Sequence, residues 1–461
     1  MSVSAPPDTL PRLLAGMSTN GPLPLARHLE IHGQLPTRSR RRGDSALALV
    51  TELERSGLRG RGGAAFPTAA KLTAVAASRS RAVVVVNGCE GEPASLKDRL
   101  LLERLPHLVI DGALAAAHVV ETSDVLLAVD ESATRAVHAV DRALGERTDL
   151  PRGVRLVTVP SGYVSGQESA LVNFLGGGAP KPMWMPAPIY QRGVRGRPTL
   201  VSNTETLAHV ALIARYGGAW FRALGAPGEP GSTLITVGGA VEYPGVFEIE
   251  TGTQVASLIA AAGGATGEVR AFLLGGYAGT WVAADRGYPL ALSPEGLGHA
   301  GASLGSGVLF ALPSSACAVS EIAHVARWLS GQSSGQCGPC IHGLDAIATA
   351  LEQARAGGTG KRALAEIGRW AALASGRGGC AHPDGVARFI VSAVELFADE
   401  LADHARHGPC TGCVQRHLLP TPAAPSTRRP PSTRRAPATP PAPKTRWAGA
   451  TSRAPSTGRA T

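Results

Sequence analysis

The chain has 461 residues, which at ~150 residues per domain predicts about three domains. Hydrophobic residues make up 44%, enough to bury an ordinary core and to exclude a wholly disordered chain. The net charge of +10 is not a nucleic-acid signature, because eight Arg or Lys and no acid fall within 420–461 and the rest of the chain is near +2.

Other broad classes fall away too. Gly 57 and Pro 35 occur without a G-X-Y period, which excludes collagen. No apolar run reaches ~18 residues, so no transmembrane helix is expected. The first thirty residues lack a basic start, apolar stretch and small-residue cleavage site. A cytoplasmic location is therefore expected, with attachment at the inner face of a membrane complex as its variant. Four of the 7 cysteines form the C-x-x-C pairs Cys337/Cys340 and Cys410/Cys413. In a chain without an export signal that spacing favours metal ligands over disulfides. Cys317 is expected in a core.

Residues 1–45 predict a polar arm carrying a basic knot, Arg38-Ser39-Arg40-Arg41-Arg42, read as a solvated loop. Over 46–218 strands alternate with helices. The β-branched run 82–87 predicts a buried parallel strand, 125–129 a second buried strand and 154–159 a third strand, with helices over 97–116 and 132–144. The pattern predicts a doubly wound α/β domain. Residues 232–312 read as a small α+β unit, with strands at 233–237 and 246–249 and a short helix at 255–262. Residues 316–405 predict a bundle of four helices, at 323–329, 343–356, 361–374 and 386–402. The Pro/Arg-rich segment 418–461 is expected to be disordered.

Five segments carry chemistry. Gly57–Lys71 combines glycines with Arg59, Arg61 and Lys71, a composition that lets backbone N–H groups approach a phosphate, although a plain flexible loop fits it as well. Its spacing is not that of a Walker A loop. Asn87-Gly88-Cys89-Glu90-Gly91-Glu92-Pro93 follows a strand, where open α/β sheets bind ligands. Glu90 and Glu92 can accept bonds from ribose or ribityl hydroxyls, with a solvated turn as the plain alternative. Gly162–Leu171 ends the third strand. Arg197–Leu207 contains Asn203 and Thr204, one of which is expected to cap the next helix. Between them, Lys181-Pro182-Met183-Trp184 offers an aromatic face for a flat ring or for simple loop packing. Finally, Ser333–Cys340 with Cys380 offers thiolates for an iron–sulfur cluster or zinc.

Together and in this order, these segments resemble the FMN-containing, NADH-oxidising F subunit of respiratory complex I, a family that includes flavin subunits of NAD-linked hydrogenases and formate dehydrogenases. The similarity runs over about 24–405. It implies a Rossmann-like flavin-binding α/β domain, a β-grasp domain of the soluble-ligand-binding type, and a C-terminal four-helix-bundle iron–sulfur domain. It also implies FMN, NAD(H) and a [4Fe-4S] cluster as cofactors. By position, FMN contacts fall at Gly60, Arg61, Gly62, Lys71, Asn87 and Glu90, completed by Tyr163, Gly166, Glu168, Asn203 and Thr204. Phe66 and Trp184 fall near the NADH adenine, and Glu92 and Lys181 near its sugars or phosphates. Trp184 stands where the family usually has Phe. The cluster ligands fall at Cys337, Cys340 and Cys380.

The chain departs from the family pattern at four places. Ser334 replaces the first cluster cysteine, Cys89 an acidic residue, Gln167 the first of two glutamates, and Ser202 an asparagine. The fourth ligand position then falls to the Ser334 alkoxide or to Cys410 or Cys413 reaching in; otherwise the cluster is a three-iron species or absent. Losing the carboxylate at Gln167 lessens repulsion of a phosphorylated cofactor, so a relaxed preference between NADH and NADPH is expected.

The resemblance implies hydride transfer from NADH to FMN, with electrons leaving through the cluster to a quinone-linked complex or to a ferredoxin-like or thioredoxin-like iron–sulfur partner. No protein acid or base is needed for that transfer, and no catalytic residue is named. The rival readings are a stand-alone NAD(P)H:ferredoxin-type oxidoreductase and a degenerate nucleotide-binding relative that passes no electrons.

Overall fold

The structure, a computed structural model, describes residues 9–36, 42–78, 80–358, 360–414 and 416–422. Most of the basic knot (38–41) and the Pro/Arg-rich tail from 423 onward lie outside the described residues. Up to Thr421 the chain packs as one unit.

After α1 (Leu25–His32), α2 (Arg42–Ser56) and α3 (Thr68–Ala76), the chain enters β1 (Val83–Gly88). Next come α4 (Lys97–Arg104), α5 (Pro106–Val119), β2 (Val125–Asp130), α6 (Thr134–Glu146) and β3 (Val154–Val159). Then follow α7 (Glu168–Leu175), β4 (Thr199–Asn203) and α8 (Thr204–Arg222). The single helix expected over 97–116 is two. Pro106 has no N–H to continue the ladder and instead starts α5.

Strands β1–β4 form a parallel sheet in the order β3-β2-β1-β4. The valines of β1 alternate between faces. Val84 and Val86 pack with α5 and α8, Val83 and Val85 with α7, and all four are at most 2% exposed. Chain order reverses at β1, which has β2 on one side and β4 on the other. The crevice beyond their carboxyl ends is the switch point where such sheets bind ligands. There Asn87 of β1 lies opposite Asn203 of β4.

A two-residue ribbon, β5 (Gly225–Ala226) with β6 (Glu229–Pro230), leads to a second sheet. Its elements are β7 (Ser232–Gly239), β8 (Gly245–Glu250), α9 (Val255–Ala261), β9 (Val269–Leu274), β10 (Thr280–Ala283), the short helices α10 (Ala284–Gly287) and α11 (Pro294–Gly298), and β11 (Val308–Pro313). The order is β10-β9-β11-β7-β8, with β11 and β7 parallel. Val255, Leu258 and Ile259 of α9 close one face. The other face presents Leu273, Trp281 and Phe310 to the helical layer.

That layer comprises α12 (Ala318–Gly331), α13 (Leu344–Ala356), α14 (Lys361–Ala374), α15 (His382–Leu396) and α16 (Ala398–His407). The helix expected over 386–402 is interrupted at Phe397, which separates α15 from α16. A π-helical turn, Pro339–Gly343, joins the α12 side to α13.

Both ends of the unit are tied down more firmly than the sequence implied. The expected polar arm packs over its described part. Arg12 is 2% exposed, with its guanidinium on the Trp220 carbonyl at 2.9 Å, and His28 meets Asp111 at 2.8 Å. Asp111 also pairs with Arg147 and Arg215. At the other end, the N–H groups of Leu418 and Leu419 donate to the Glu321 carboxylate, each at 3.0 Å. Among the described residues no helix is long and apolar enough to cross a membrane.

Candidate functional site

A cavity of about 800 Å³ opens at the β1/β4 switch point. Its walls come from all three layers. The Gly60–Lys71 loop, the β1 and β4 ends and the Tyr163–Ser169 turn form one side. Gly275, Ala278, Ser303, Gly305 and Ser306 from the second sheet's turns form another, and Ala381, His382 and Arg388 close it from the helices.

The glycine loop is pinned at its base, where Arg59 bridges Pro67 and the Gly60 N–H donates to the Phe66 carbonyl at 2.9 Å. Within it, Phe66 is 56% exposed and lines the cavity. Lys71 forms an ion pair with Glu168 across the opening. Arg61 behaves differently from the phosphate-binding expectation. Its guanidinium turns away to Glu229 at 2.6 Å and to the Ser232 carbonyl at 3.3 Å. Both partners of the ion pair are almost fully buried, so Arg61 joins the layer of the first sheet to the ribbon that leads into the second.

Beneath the loop lies a polar floor. Asn203 caps α8, accepting from the N–H groups of Glu205 at 3.0 Å and Thr206 at 3.4 Å. Asn87 donates to the Gly166 carbonyl at 2.8 Å. Gly166 is required there, because a Cβ would lie 2.5 Å from the Cys89 carbonyl. The Glu90 carboxylate accepts from Ser95 Oγ at 2.6 Å and from the N–H groups of Asp98 and Arg99, so it holds the start of α4. Lys97 donates to the Arg61 carbonyl at 3.1 Å and pairs with Asp98 and Glu205. Burial works against its ammonium, and those two carboxylates outweigh it, holding its pKa above the ordinary lysine range. Burial lifts Asp98 to about 6. Burial also pushes the Cys89 thiol up.

Glu92 and Tyr163 stand at the helical end. Glu92 accepts from the Tyr277 N–H at 2.7 Å and the Ala94 N–H at 3.3 Å. Burial is the largest influence and lifts its carboxyl to about 7, against those N–H groups. Burial and the Glu92 charge together push the Tyr163 phenol well above its usual range. The Tyr163 ring meets Trp328 edge-on at 5.6 Å and lies 5.3 Å from His382.

Beside this end lie Cys337, Cys340 and Cys380. Cys340 is buried on the π-helical turn. Burial raises the Cys337 thiol, but hydrogen bonds from the Gly379 and Cys340 backbones outweigh it and leave its pKa below the usual thiol value. Burial raises Cys380, against a hydrogen bond from the Gln167 side chain, and the charges of Cys340 and Cys337 add to the rise. Gln167 thus lies between the cavity and Cys380. Ser334 is 4% exposed and its carbonyl accepts from Lys181 Nζ at 3.0 Å. Cys410 and Cys413 do not reach this place. They gather with Cys317, at the opposite end of α12. That helix has 14 residues, a separation of roughly 20 Å.

The cavity therefore collects Gly60, Arg61 (by its backbone side), Gly62, Phe66, Lys71, Asn87, Glu90, Glu92, Tyr163, Gly166, Glu168 and Asn203. Three expected residues are not on its lining. Thr204 is fully buried below it, donating to the Asn87 carbonyl at 3.1 Å. Trp184 is 81% exposed, and Lys181 is committed to Ser334. Ser95, Lys97, Asp98 and Thr206 line the cavity and were not expected. The signal for the first three was their place two to five residues after Glu92-Pro93, at the start of a helix facing the same crevice. The second sheet's glycine- and serine-rich turns also form a wall.

Comparison with known proteins agrees with this layout. Residues 53–212 match the family model described as the Nuo51 FMN-binding domain, 234–276 the SLBB domain, and 320–404 the NADH-ubiquinone oxidoreductase-F iron-sulfur binding region. The F subunit of NADH-quinone oxidoreductase in Mycobacterium bovis is 30% identical over 391 residues, 80% of this chain and 86% of that protein. The Streptomyces coelicolor F subunit is 31% identical, over 78% of this chain and 84% of its own length. The Escherichia coli counterpart is 28% identical, covering 86% and 92%. Among solved structures, a NAD+-reducing [NiFe]-hydrogenase in the H2-reduced state superposes with a TM-score of 0.73 at 27% identity. The match covers 79% of this chain and 64% of the hydrogenase chain, a little under two thirds of the latter.

Proposed function

Because the chain belongs to the family of NADH-quinone oxidoreductase F subunits, we propose that the switch-point cavity holds FMN and NADH together and that Cys337, Cys340 and Cys380 hold the cluster that drains it. The chain is an NADH dehydrogenase-type oxidoreductase that oxidises NADH through FMN and an iron–sulfur cluster. The observation that carries the assignment of residues is continuity. The cavity lining includes Ala381 and His382, directly after Cys380, and Gln167 lines the cavity beside that cysteine.

The residues present fit these groups. The cavity is of cofactor size, lies at a switch point and has a glycine loop and a helix start on its wall. The cluster place offers three cysteines, with backbone N–H donors at Cys337 and Cys380, and the buried Ser334 stands at the family's fourth ligand position in sequence. When bound, the flavin supplies a two-electron hydride acceptor that gives up electrons singly, and the cluster supplies their outlet. The chain's own part is to position and to exclude water. Asn87, Gly62 and Asn203 hold the floor for the ribityl and phosphate part. Lys71 and Glu168 face each other at the mouth, where Phe66 presents a ring. Glu92, its carboxyl lifted to about 7 by burial, stands beside Tyr163. Thr204 acts by holding the Asn87 backbone.

The three layers correspond to a flavin domain over 46–218, a β-grasp domain over 232–312 and a cluster domain over 316–405. Like its relatives the chain works with other subunits. Its finer partner is an acidic ferredoxin-like or thioredoxin-like iron–sulfur protein, drawn to the eight basic residues of the tail, and its place is cytoplasmic. Absorbance and low-temperature EPR of anaerobically purified protein, before and after NADH, test the reading. Flavin bands that bleach and a reduced-cluster signal are expected. Colourless protein that also refuses FMN would overturn it.

A further inference from the structure

Away from the flavin cavity, a second set of sulfurs converges. Cys317 precedes α12, His404 lies on α16, and Cys410 and Cys413 sit on the turn that follows. One ligand atom from each lies within 4.8 Å of all the others, the only such group among the described residues. Cys317 and His404 are 4% and 3% exposed. Two segments 87 or more residues apart thus bring three thiols and an imidazole to one point.

We propose that Cys317, His404, Cys410 and Cys413 bind a single zinc ion that pins the segment after α16 to the helical layer. The spacing is that of one ion. With Zn–S bonds of ~2.3 Å, tetrahedral geometry sets neighbouring sulfurs about 3.8 Å apart. Here Cys410 Sγ lies 3.9 Å from Cys413 Sγ, and Cys413 Sγ 3.3 Å from Cys317 Sγ. The ring of His404 has Cys317 Sγ 3.6 Å from Nε2 and Cys413 Sγ 3.9 Å from Nδ1, so sulfur faces both nitrogens of a buried imidazole. The cluster cysteines do not form such a tight group, as befits a larger guest.

The surroundings fit a preformed site. The Ser320 N–H donates to Cys317 Sγ at 3.2 Å, the kind of outer contact that holds a thiolate ligand. The Cys413 N–H closes its turn on the Cys410 carbonyl at 3.1 Å. Gly412 fits against the Cys317 backbone, where a Cβ would come within 3.1 Å of its nitrogen. Three thiolates and an imidazole are a set that suits zinc, and its binding releases the thiol protons. The pinned segment then runs along α12. His417 stacks on His324 at 3.9 Å, Leu419 is buried, and the Pro420 carbonyl accepts from Tyr277 Oη at 2.6 Å. Tyr277 in turn donates its N–H to Glu92. The ion thus anchors a strap that ends against the residue bracing the cavity wall.

The inference is independent of the flavin reading, and so is its test. Elemental analysis of the full chain, purified anaerobically, should find about one zinc per chain beside the iron. The double variant Cys410→Ser/Cys413→Ser should lose that zinc, keep its iron and flavin absorbance, and become open to protease after Gly408. Should that variant fail to fold, cobalt offered during expression of the unaltered chain should give tetrahedral cobalt–thiolate absorption. Zinc at background in well-folded wild type would overturn the proposal. So would zinc that survives the double substitution, an isolated ferric ion in its place, or a disulfide among Cys317, Cys410 and Cys413 by mass after alkylation.

Discussion

Gln167 sits where a small change reaches two functions. It lines the cavity and lies beside Cys380, in a position where the family has a carboxylate. A carboxylate there repels an additional phosphate, an effect on the order of 1 kcal/mol for charges about 4 Å apart in water and larger where water is excluded. Gln167→Glu should therefore lower the NADPH-to-NADH ratio of kcat/KM several-fold, and an unchanged ratio would sink the idea. Glu92 gives a prediction with a definite sign. Its folded pKa of about 7 exceeds the ordinary 4.5, so between those values the folded state binds the proton more tightly than the unfolded state. Stability contributed by this group is present at acid pH and falls as pH rises through that window, by on the order of 3 kcal/mol. Urea denaturation of apo protein from pH 4.5 to 8 should show the fall, and Glu92→Gln should flatten it. At this scale much was legible. Asn87, Glu90, Glu92 and Gly166 lie where strand ends and turn chemistry place them. Trp184 and Lys181 were not legible, because their loop has no periodicity to say which way a side chain faces, and Lys181 finds a carbonyl that only the tertiary fold brings near.

Between elements, Arg61 is the instructive residue. Its place in a glycine loop reads as phosphate binding, yet the fold gives it a buried carboxylate, Glu229, from a ribbon over 160 residues later. Removing one partner of a buried pair costs about 3–5 kcal/mol. Arg61→Ala should thus lower thermal stability sharply while FMN affinity, by titration of apo protein, changes less than about tenfold. An affinity loss without a stability loss would return Arg61 to the phosphate. Strand β4 and the strands β9–β11 escaped the sequence reading for a related reason. Thr199–Asn203 is five residues squeezed between Pro198 and a helix, and only its parallel pairing with β1 makes it a strand. Val269–Leu274 and Val308–Pro313 become strands through pairing with each other and with β7, which local propensity does not report. By contrast β1 and β2, apolar on both faces, were visible from their short apolar runs alone.

For the molecule as a whole, the three-layer order was readable because each layer has its own hydrophobic period. Its closeness was not, since the shared walls are built of small residues with little pattern. Those walls have a thermodynamic consequence. A cavity lined by the flavin-type sheet, the turns at Gly275–Ala278 and Ser303–Ser306, and the start of α15 exists only while the three are docked. Any guest that fits it is therefore a keystone: its binding free energy is spent on holding layers together as well as on being held. At a hundredfold excess over Kd that linkage is worth about 2.7 kcal/mol. Calorimetry should find the empty chain melting in separate steps and the FMN-loaded chain melting later and in one. The same arch would make cofactor loss the first event in unfolding, so that the chain goes silent as an electron carrier before it comes apart.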